Sequence, residues 1–255
     1  MAWYTYKKLL LDSKESIPSI FSNEIFDKFL FYLLKIKLSR YDLLCASDKS
    51  NQQCLSKAFG LSYNKIPITG TPRQEIIKYN KNNREHKNNK VLIALTWQDT
   101  DEKALKWISF ILTKRLIEFS SQHNIIFDVI VHPLNNKVEK LIRNNRVNIL
   151  KPDDINLELH NYDLLITDFS SIAFDFSLLK RPVLFSAYDV SEYINDRGIY
   201  ENYLDYIDNN NLSNNELINK LDLYFNHNQL LSILDVDTVK NSPMLNIITE
   251  IRKRT

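Results

Sequence analysis

The chain has 255 residues and a mass of 30.1 kDa, enough for one large domain or two modest ones that bury roughly three quarters of their unfolded surface without a disulfide or metal staple. Hydrophobic residues make up 44% and charged residues 25%, which excludes wholesale disorder, and 33 Lys and Arg against 31 Asp and Glu leave a net charge of +2, too little for the whole chain to act as a polyanion or nucleic-acid binder. Only three glycines are present, so there is neither a Gly-x-Gly-x-x-Gly loop nor a Walker-type phosphate loop, and the abundance of Asn, Ile, Lys and Tyr reads as the bias of an AT-rich coding sequence.

The start, MAWYTYKKLLLDSKES, lacks the basic end, apolar centre and cleavage site of a secretory signal. No run of about 18 apolar residues predicts a transmembrane helix. Cys45 and Cys54 are the only cysteines and form no Cys-x-x-Cys motif, which points to a reduced, cytoplasmic setting. The histidines (His86, His123, His132, His160 and His227) have no metal-ligand spacing, so no metal and no cofactor is expected.

In chain order, NEIFDKFLFYLLKIKLSRYD reads as a helix apolar nearly all round. Phe26, Phe29, Leu30, Leu33 and Leu34 lie on one face, with Phe31 and Tyr32 on another. Such a helix is buried between layers or, with Lys35 and Lys37, docks on a partner or membrane surface. YDLLCAS predicts a short strand, and NQQCLSKAFG a helix closed by Gly60. KIPITGTPRQEII predicts turns around Gly70 and Pro72, and the polar run KYNKNNREHKNNK marks a domain boundary at about 80–90. A partial N-terminal portion, 1–85, thus precedes a larger domain, 86–255.

From residue 90 strands and helices alternate. KVLIALTW is a strand covered on both faces. Asp99 or Thr100 caps a helix running to about Ser120, with Asp101 and Glu102 in its first turn. IIFDVIVHP is the next strand, NKVEKLIRNN a basic helix, VNIL a short strand, DINLELH a helical turn or two, and YDLLITD a strand. SSIAFDFSLLK is a helix, RPVLFSA a strand, and NNELINKLDLYF and SPMLNIITEIRKR are closing helices. Alternation of this kind predicts a parallel, doubly wound, Rossmann-like α/β sheet.

In such a sheet ligands bind outside the carboxyl ends of the strands. The first strand delivers Thr96, Trp97 and Gln98 there, the second His132 before Pro133, the fourth Thr167, Asp168, Phe169, Ser170 and Ser171, and the fifth Ser186, Tyr188 and Asp189. Ser170 or Ser171 stands at a helix start, where the pair either caps the helix or receives an anion without a glycine loop. His132 is either structural or a pyrophosphate ligand and proton donor. Arg73 in TGTPRQE is either a surface residue or a guanidinium fork for a phosphate.

TDFSSIAFDFSLLKRPVLFSAYDVSEY resembles the signature of the CDP-glycerol glycerophosphotransferase family, whose members build teichoic-acid-like and capsular polymers. IVHP is similar to the family's His-Pro segment, VLIALTWQ to its Pro-Thr-Trp-Arg strand end, TGTPRQE to its Gly-x-Pro-Arg-x-Asp turn, and EYINDRG to its Arg-Gly segment. Together they span about residues 41–200.

The resemblance implies a GT-B architecture, with CDP-glycerol or a related CDP-activated polyol held by the C-terminal Rossmann-like domain. Ser170 and Ser171 would grip the pyrophosphate and Arg73 would add charge. Thr96, Trp97, Thr167 and Asp189 would complete the substrate-binding set. His132 and Asp168 would be catalytic, His132 helping the leaving CMP. The acceptor would be a cell-surface polymer or its lipid-linked primer. Peripheral contact with the inner membrane face and a homo-oligomer or partner subunit stay open.

The sequence departs from the family where Tyr4 stands in place of the histidine of a Trp-His-Gly-Thr segment, the general base. Gln98 replaces an arginine, and Glu75 an aspartate. Most of the acceptor domain is missing from the match. A catalytically degenerate donor-binding subunit or partner protein, and a GT-B glycosyltransferase using a nucleotide sugar, are the alternative readings.

Overall fold

The computed structural model describes residues 32, 36–37, 40–80, 87–96, 98, 100–131, 135, 145–150, 155–188, 190–197 and 201–255. In chain order these form α1 (Lys49–Phe59), α2 (Pro72–Asn80), β1 (Lys90–Ala94), α3 (Asp101–Ile111), α4 (Lys114–Gln122), β2 (Ile126–Ile130), β3 (Val147–Leu150), α5 (Ile155–Glu158), β4 (Leu164–Thr167), α6 (Ile172–Ser177), β5 (Val183–Phe185), α7 (Val190–Arg197), α8 (Glu201–Asn210), α9 (Asn214–Phe225) and α10 (Pro243–Arg252). The all-round apolar segment near residues 23–42 and the basic segment 136–144 lie largely or wholly outside the described residues. Among the described residues no helix is long and apolar enough to cross a membrane.

The chain divides into two compact units. One holds the described residues of Met1–Glu75, Glu192–Ile199 and Asp237–Thr255, the other those of Ile76–Ser191 and Tyr200–Val236. The first unit has a small core of Ala46, Leu61 and Ile66, with Leu44, Leu55 and Phe59 packed on it. Helix α1 is capped by Asp48, which accepts from the Asn51 amide, and closes at Gly60 in the left-handed conformation (φ 63°), as its sequence predicts.

YDLLCAS is not a regular strand. Only Ala46 and Ile68 form a parallel bridge, flanked by bonds from the Leu44 amide to the Lys65 carbonyl and from the Ala46 amide to the Pro67 carbonyl. Pro67 has no N–H to return, so the ladder cannot extend.

TPRQEII is helical, not a turn alone. Pro72 opens α2, Thr71 donates its amide to Gln74 Oε1 at 2.8 Å, and the Gln74 amide reaches Thr71 Oγ1 at 3.4 Å. That is a capping box with proline at the first helical position, a start signal present in the letters.

The second unit is built on a five-stranded parallel sheet in the order β3-β2-β1-β4-β5, the doubly wound arrangement that the alternation predicts. On one face Val91, Ile93, Phe127, Val129, Leu164 and Ile166 meet Trp107, Ile108 and Ile111 of α3, Leu116 and Phe119 of α4, and Leu217 and Leu221 of α9. On the other, Phe185 packs edge-on to Tyr206 and Tyr203 of α8. Buried there, Asp128 accepts from Asn148 Nδ2 (2.7 Å) and the Tyr162 hydroxyl (3.0 Å), with Lys90 Nζ at 3.5 Å. Burial and then the Asp128 charge push the Tyr162 hydroxyl well above the ordinary tyrosine range.

The single helix expected from about residue 100 to Ser120 is two. Thr100 caps α3, accepting from the Lys103 amide, but the chain leaves the helix at Leu112 and Thr113 caps α4 by accepting from the Leu116 amide. A threonine hydroxyl offering the backbone an alternative partner ends the first helix. Apolar periodicity conceals the break because Ile108, Ile111, Leu116 and Phe119 all face the same core.

Among the described residues, left-handed positions other than Gly60 and Gly70 fall to Asn89, Asn124, Asn228 and Lys180 (φ 49–56°). Asparagine tolerates that region better than other non-glycine residues, so part of the Asn bias serves the turns that enter β1 and β2.

Candidate functional site

The order β3-β2-β1-β4-β5 makes the gap between β1 and β4 a topological switch point: the chain runs outward from β1 through β2 to β3 on one side, and from β4 to β5 on the other. Crevices at such points receive ligands. Both ends of this strand pair are tied by an aspartate. At the entry, Asp163 accepts from the amides of Asn88 and Lys90, each at 3.0 Å. At the exit, Asp168 Oδ1 accepts from the Thr96 amide at 2.9 Å and from Thr96 Oγ1 at 2.7 Å. Asp168 is fully buried, so these bonds form away from water, where a charge-assisted bond is strong.

Thr167, also fully buried, donates its hydroxyl to the Ala94 carbonyl at 2.7 Å and braces β4 against β1. The structure thus brings Thr96, Thr167 and Asp168 together as the frame of the crevice. Beyond that frame comes the Ser-Ser turn. Ser171 occupies the N-cap of α6 with helical dihedrals (φ −64°, ψ −10°), and its hydroxyl makes no capping bond.

Ser170 Oγ lies 3.5 Å from the Ile172 amide, at the limit of a hydrogen bond. The amides of Ala173 and Phe174 fold back onto the carbonyls of Ser170 and Ser171. With only six residues, α6 carries a small dipole, so the donors this turn offers an anion are chiefly its hydroxyls.

Tyr203 of α8 supports the turn from behind. Its hydroxyl donates to the Ser170 carbonyl at 3.3 Å, and its ring lies 4.9 Å from that of Phe174 and 6.2 Å from that of Phe185. Nothing in the local pattern marks Tyr203, which lies 33 positions from Ser170 on a helix the alternation does not announce. Asn135 is a second such residue: its amide reaches the carbonyl of buried Gln98 at 3.3 Å and Asp101 Oδ1 at 3.4 Å, joining the loops after β1 and β2.

Ser186 turns inward. Its hydroxyl donates to the Leu212 carbonyl and its own carbonyl accepts from Trp107 Nε1. Tyr188 is exposed, with its ring 5.5 Å from Phe110. Arg73 is exposed in the first turn of α2, in the first unit. His132, Trp97 and Asp189 lie outside the described residues, as does Tyr4. Among the described residues no group of three or more His, Cys, Asp or Glu is placed to hold a metal ion.

The sequence model of CDP-glycerol:poly(glycerophosphate) glycerophosphotransferases matches residues 18–232. The teichoic acid glycerol-phosphate primase of Bacillus subtilis is 28% identical over 209 residues, covering 75% of this chain and 52% of that protein. The teichoic acid glycerol-phosphate transferase of Staphylococcus aureus is 28% identical over 197 residues, covering 66% of this chain and 47% of that protein. The chain therefore spans about half the length of the curated relatives it matches.

Among solved structures, the wall teichoic acid polymerase TagF superposes with a TM-score of 0.61 at 19% identity, over 90% of this chain and 62% of that one. A UDP-GlcNAc 2-epimerase from Methanocaldococcus jannaschii gives 0.52 at 15%, over 84% and 61%. At these identities the likeness speaks for the fold, which is α/β and GT-B-like. The family match covers most of the chain, including the switch-point crevice and the Ser-Ser turn, and on that ground the protein belongs to the CDP-glycerol:poly(glycerophosphate) glycerophosphotransferase family.

Proposed function

We propose that the chain binds a CDP-activated polyol, CDP-glycerol in the first instance, and serves transfer of its polyol phosphate to a cell-surface polymer or lipid-linked primer. The observation that carries the reading is the Ser170–Ser171 turn directly after β4 at the switch point, where one hydroxyl makes no cap and the other a marginal one, in a member of this family. Two hydroxyls above a rigid strand end suit a pyrophosphate better than a cap they scarcely make. In this reading the unit formed by Ile76–Ser191 and Tyr200–Val236, which carries the Ser170–Ser171 turn, holds the donor's pyrophosphate.

In the reaction, an acceptor hydroxyl attacks the polyol-bearing phosphorus. A new oxygen–phosphorus bond forms, the bridging bond of the pyrophosphate breaks, CMP departs with the bridging oxygen, and the acceptor proton is released. Such transfers depend chiefly on positioning and on neutralising charge. Ser170 and Ser171 are assigned to the pyrophosphate, Arg73 to a further phosphate contact, and Trp97 and Asp189 to the substrate. His132 is assigned to the leaving group. Thr96 and Thr167 shape the crevice, and Asp168, which the resemblance implies is catalytic, is assigned instead to holding the strand ends in place, because it is fully buried with Oδ1 on Thr96. Work on a lipid-linked primer would bring the protein to the inner membrane face.

Calorimetric titration with CDP-glycerol, CTP and UDP-sugars tests the reading. CDP-glycerol should bind, and Ser170→Ala with Ser171→Ala should weaken it at least about tenfold, as loss of hydrogen bonds to a charged ligand does. No heat from any cytidine nucleotide overturns it. The sequence resemblance that sets Tyr4, ahead of the matched residues 18–232, against the family's histidine motivates a second reading, a donor-binding subunit without turnover. Binding with no release of CMP in the presence of a primer distinguishes it.

A further inference from the structure

The TGTPRQE turn, which the resemblance singles out for Arg73, is gripped on both sides of that arginine by the C-terminal helix. All the contacts lie within the first unit. Before Arg73, the Thr69 carbonyl accepts from Asn246 Nδ2 at 3.2 Å. Gly70 has φ +73°, and a Cβ there would stand 2.8 Å from Val239 Cγ2 and 2.9 Å from Pro243 Cγ, so only glycine allows this approach of the two segments. After Arg73, both Glu75 carboxylate oxygens lie 2.8 Å from Ser242 Oγ, and Oε2 accepts from the Met244 amide at 2.7 Å.

Ser242 is the N-cap of α10 and accepts from the Leu245 amide at 3.2 Å. One hydroxyl thus serves its own helix and Glu75 together. The carboxylate takes up a first-turn amide of α10 and sits at the positive end of its dipole. On the other side, the amides of Thr69 and Gly70 both donate to the Ala46 carbonyl. The far end of α10 is anchored as well, by Arg254, which donates to the Asn64 carbonyl at 2.6 Å.

We propose that α10 is a splint for the Arg73 turn: Glu75, Gly70 and Ser242 are positioning residues that set the start of α2 and the Arg73 guanidinium at its surface. This rests on the assignment of Arg73 to a substrate phosphate made above. The α10 contacts reach residues 69, 70 and 75 and leave the Arg73 side chain exposed. A fork-shaped donor gains most from a fixed base, because less freedom is lost on binding.

The test uses the full chain and four variants: Arg73→Ala, Ser242→Ala, Glu75→Gln and the double variant Arg73→Ala with Ser242→Ala. Hydrogen exchange reads the splint itself. Protection of residues 69–75 and of the Met244 and Leu245 amides should fall at least about fivefold in Ser242→Ala and Glu75→Gln. Calorimetry with CDP-glycerol reads its purpose. Arg73→Ala should weaken binding about tenfold and the other two single variants roughly 3- to 10-fold. Ser242→Ala should then cost nothing further in the Arg73→Ala background, a result that a general loss of folding would not produce.

Unchanged protection overturns the splint. Equal losses from Ser242→Ala in both backgrounds overturn its link to Arg73. Full affinity in Arg73→Ala, with lowered protection in the other variants, overturns the proposal by removing the phosphate contact it serves. An absence of CDP-glycerol binding by the unaltered chain instead marks failure of the functional reading itself.

Discussion

Asp168→Asn and Thr96→Val, made singly and together, test whether the exits of β1 and β4 are locked across the crevice. Asp168 Oδ1 takes two donors from one residue, the Thr96 amide at 2.9 Å and its hydroxyl at 2.7 Å, with the carboxylate fully buried. A hydrogen bond to a charged group contributes about 1.5–3 kcal/mol and a neutral one about 1 kcal/mol. Thr96→Val removes the hydroxyl donor and keeps the shape, so it should cost about 1–2 kcal/mol. Asp168→Asn keeps one acceptor oxygen but removes the charge, so about 2–3 kcal/mol is expected.

Because the two changes strike one contact, the double variant should be about 1 kcal/mol less destabilised than the sum. Urea unfolding gives the free energies. Thermal midpoints should drop by about 2–4 °C per kcal/mol for a chain of this size. Strict additivity, within about 0.3 kcal/mol, would refute the lock. So would an unchanged midpoint in Asp168→Asn.

Tyr203→Phe removes the hydroxyl that donates to the Ser170 carbonyl while keeping the ring against Phe174 and Phe185. Stability should fall by only about 0.5–1 kcal/mol, with CDP-glycerol affinity weakened several-fold; unaltered affinity would show that the Ser-Ser turn does not depend on α8. Tyr162 and Tyr206 both hold their protons above the usual range, Tyr162 through burial and then the Asp128 charge, Tyr206 through burial.

A raised folded-state value leaves stability intact below the unfolded tyrosine value of about 10 and erodes it as pH rises beyond, since the unfolded chain then releases protons the folded chain retains. Urea unfolding at pH 8 and at pH 10.5 should show this loss, with a smaller one in Tyr162→Phe. Equal losses would remove Tyr162 from the account.

Much of the second unit is legible in its letters because local physics decides it. A strand covered on both faces is dominated by apolar residues, so β1, β2 and β4 stand out as KVLIA, IFDVI and LLIT, the buried Asp128 being an exception that Asn148 and Tyr162 satisfy. Helix ends depend on residues within one turn, and Thr100, Gly60, the Ser213–Glu216 capping box and the Ser242–Pro243 start are all where such signals place them. The start of α2 carried an equally local signal in Thr71, Pro72 and Gln74, obscured by the Gly-Thr-Pro letters of a turn. The break at Thr113 was hidden for a different reason, because both helices share one buried face.

By itself, the sequence determined the parallel α/β class, the absence of a glycine phosphate loop, and the placement of Thr167, Asp168, Ser170 and Ser171 at a strand-to-helix turn. All of these follow from periodicity and from contacts within a few residues. Tertiary structure decided which strand ends meet. Thr96 and Asp168 are 72 positions apart and touch only because β1 lies beside β4. Tyr203 supports Ser170 from a separate helix. Glu75 holds Ser242 across 167 positions, because the last helix belongs to the same unit as the start of α2. Partnerships of this kind depend on a register and a packing order that no local pattern encodes, since a buried aspartate or a turn glycine accepts any neighbour that supplies the right donor or the right space.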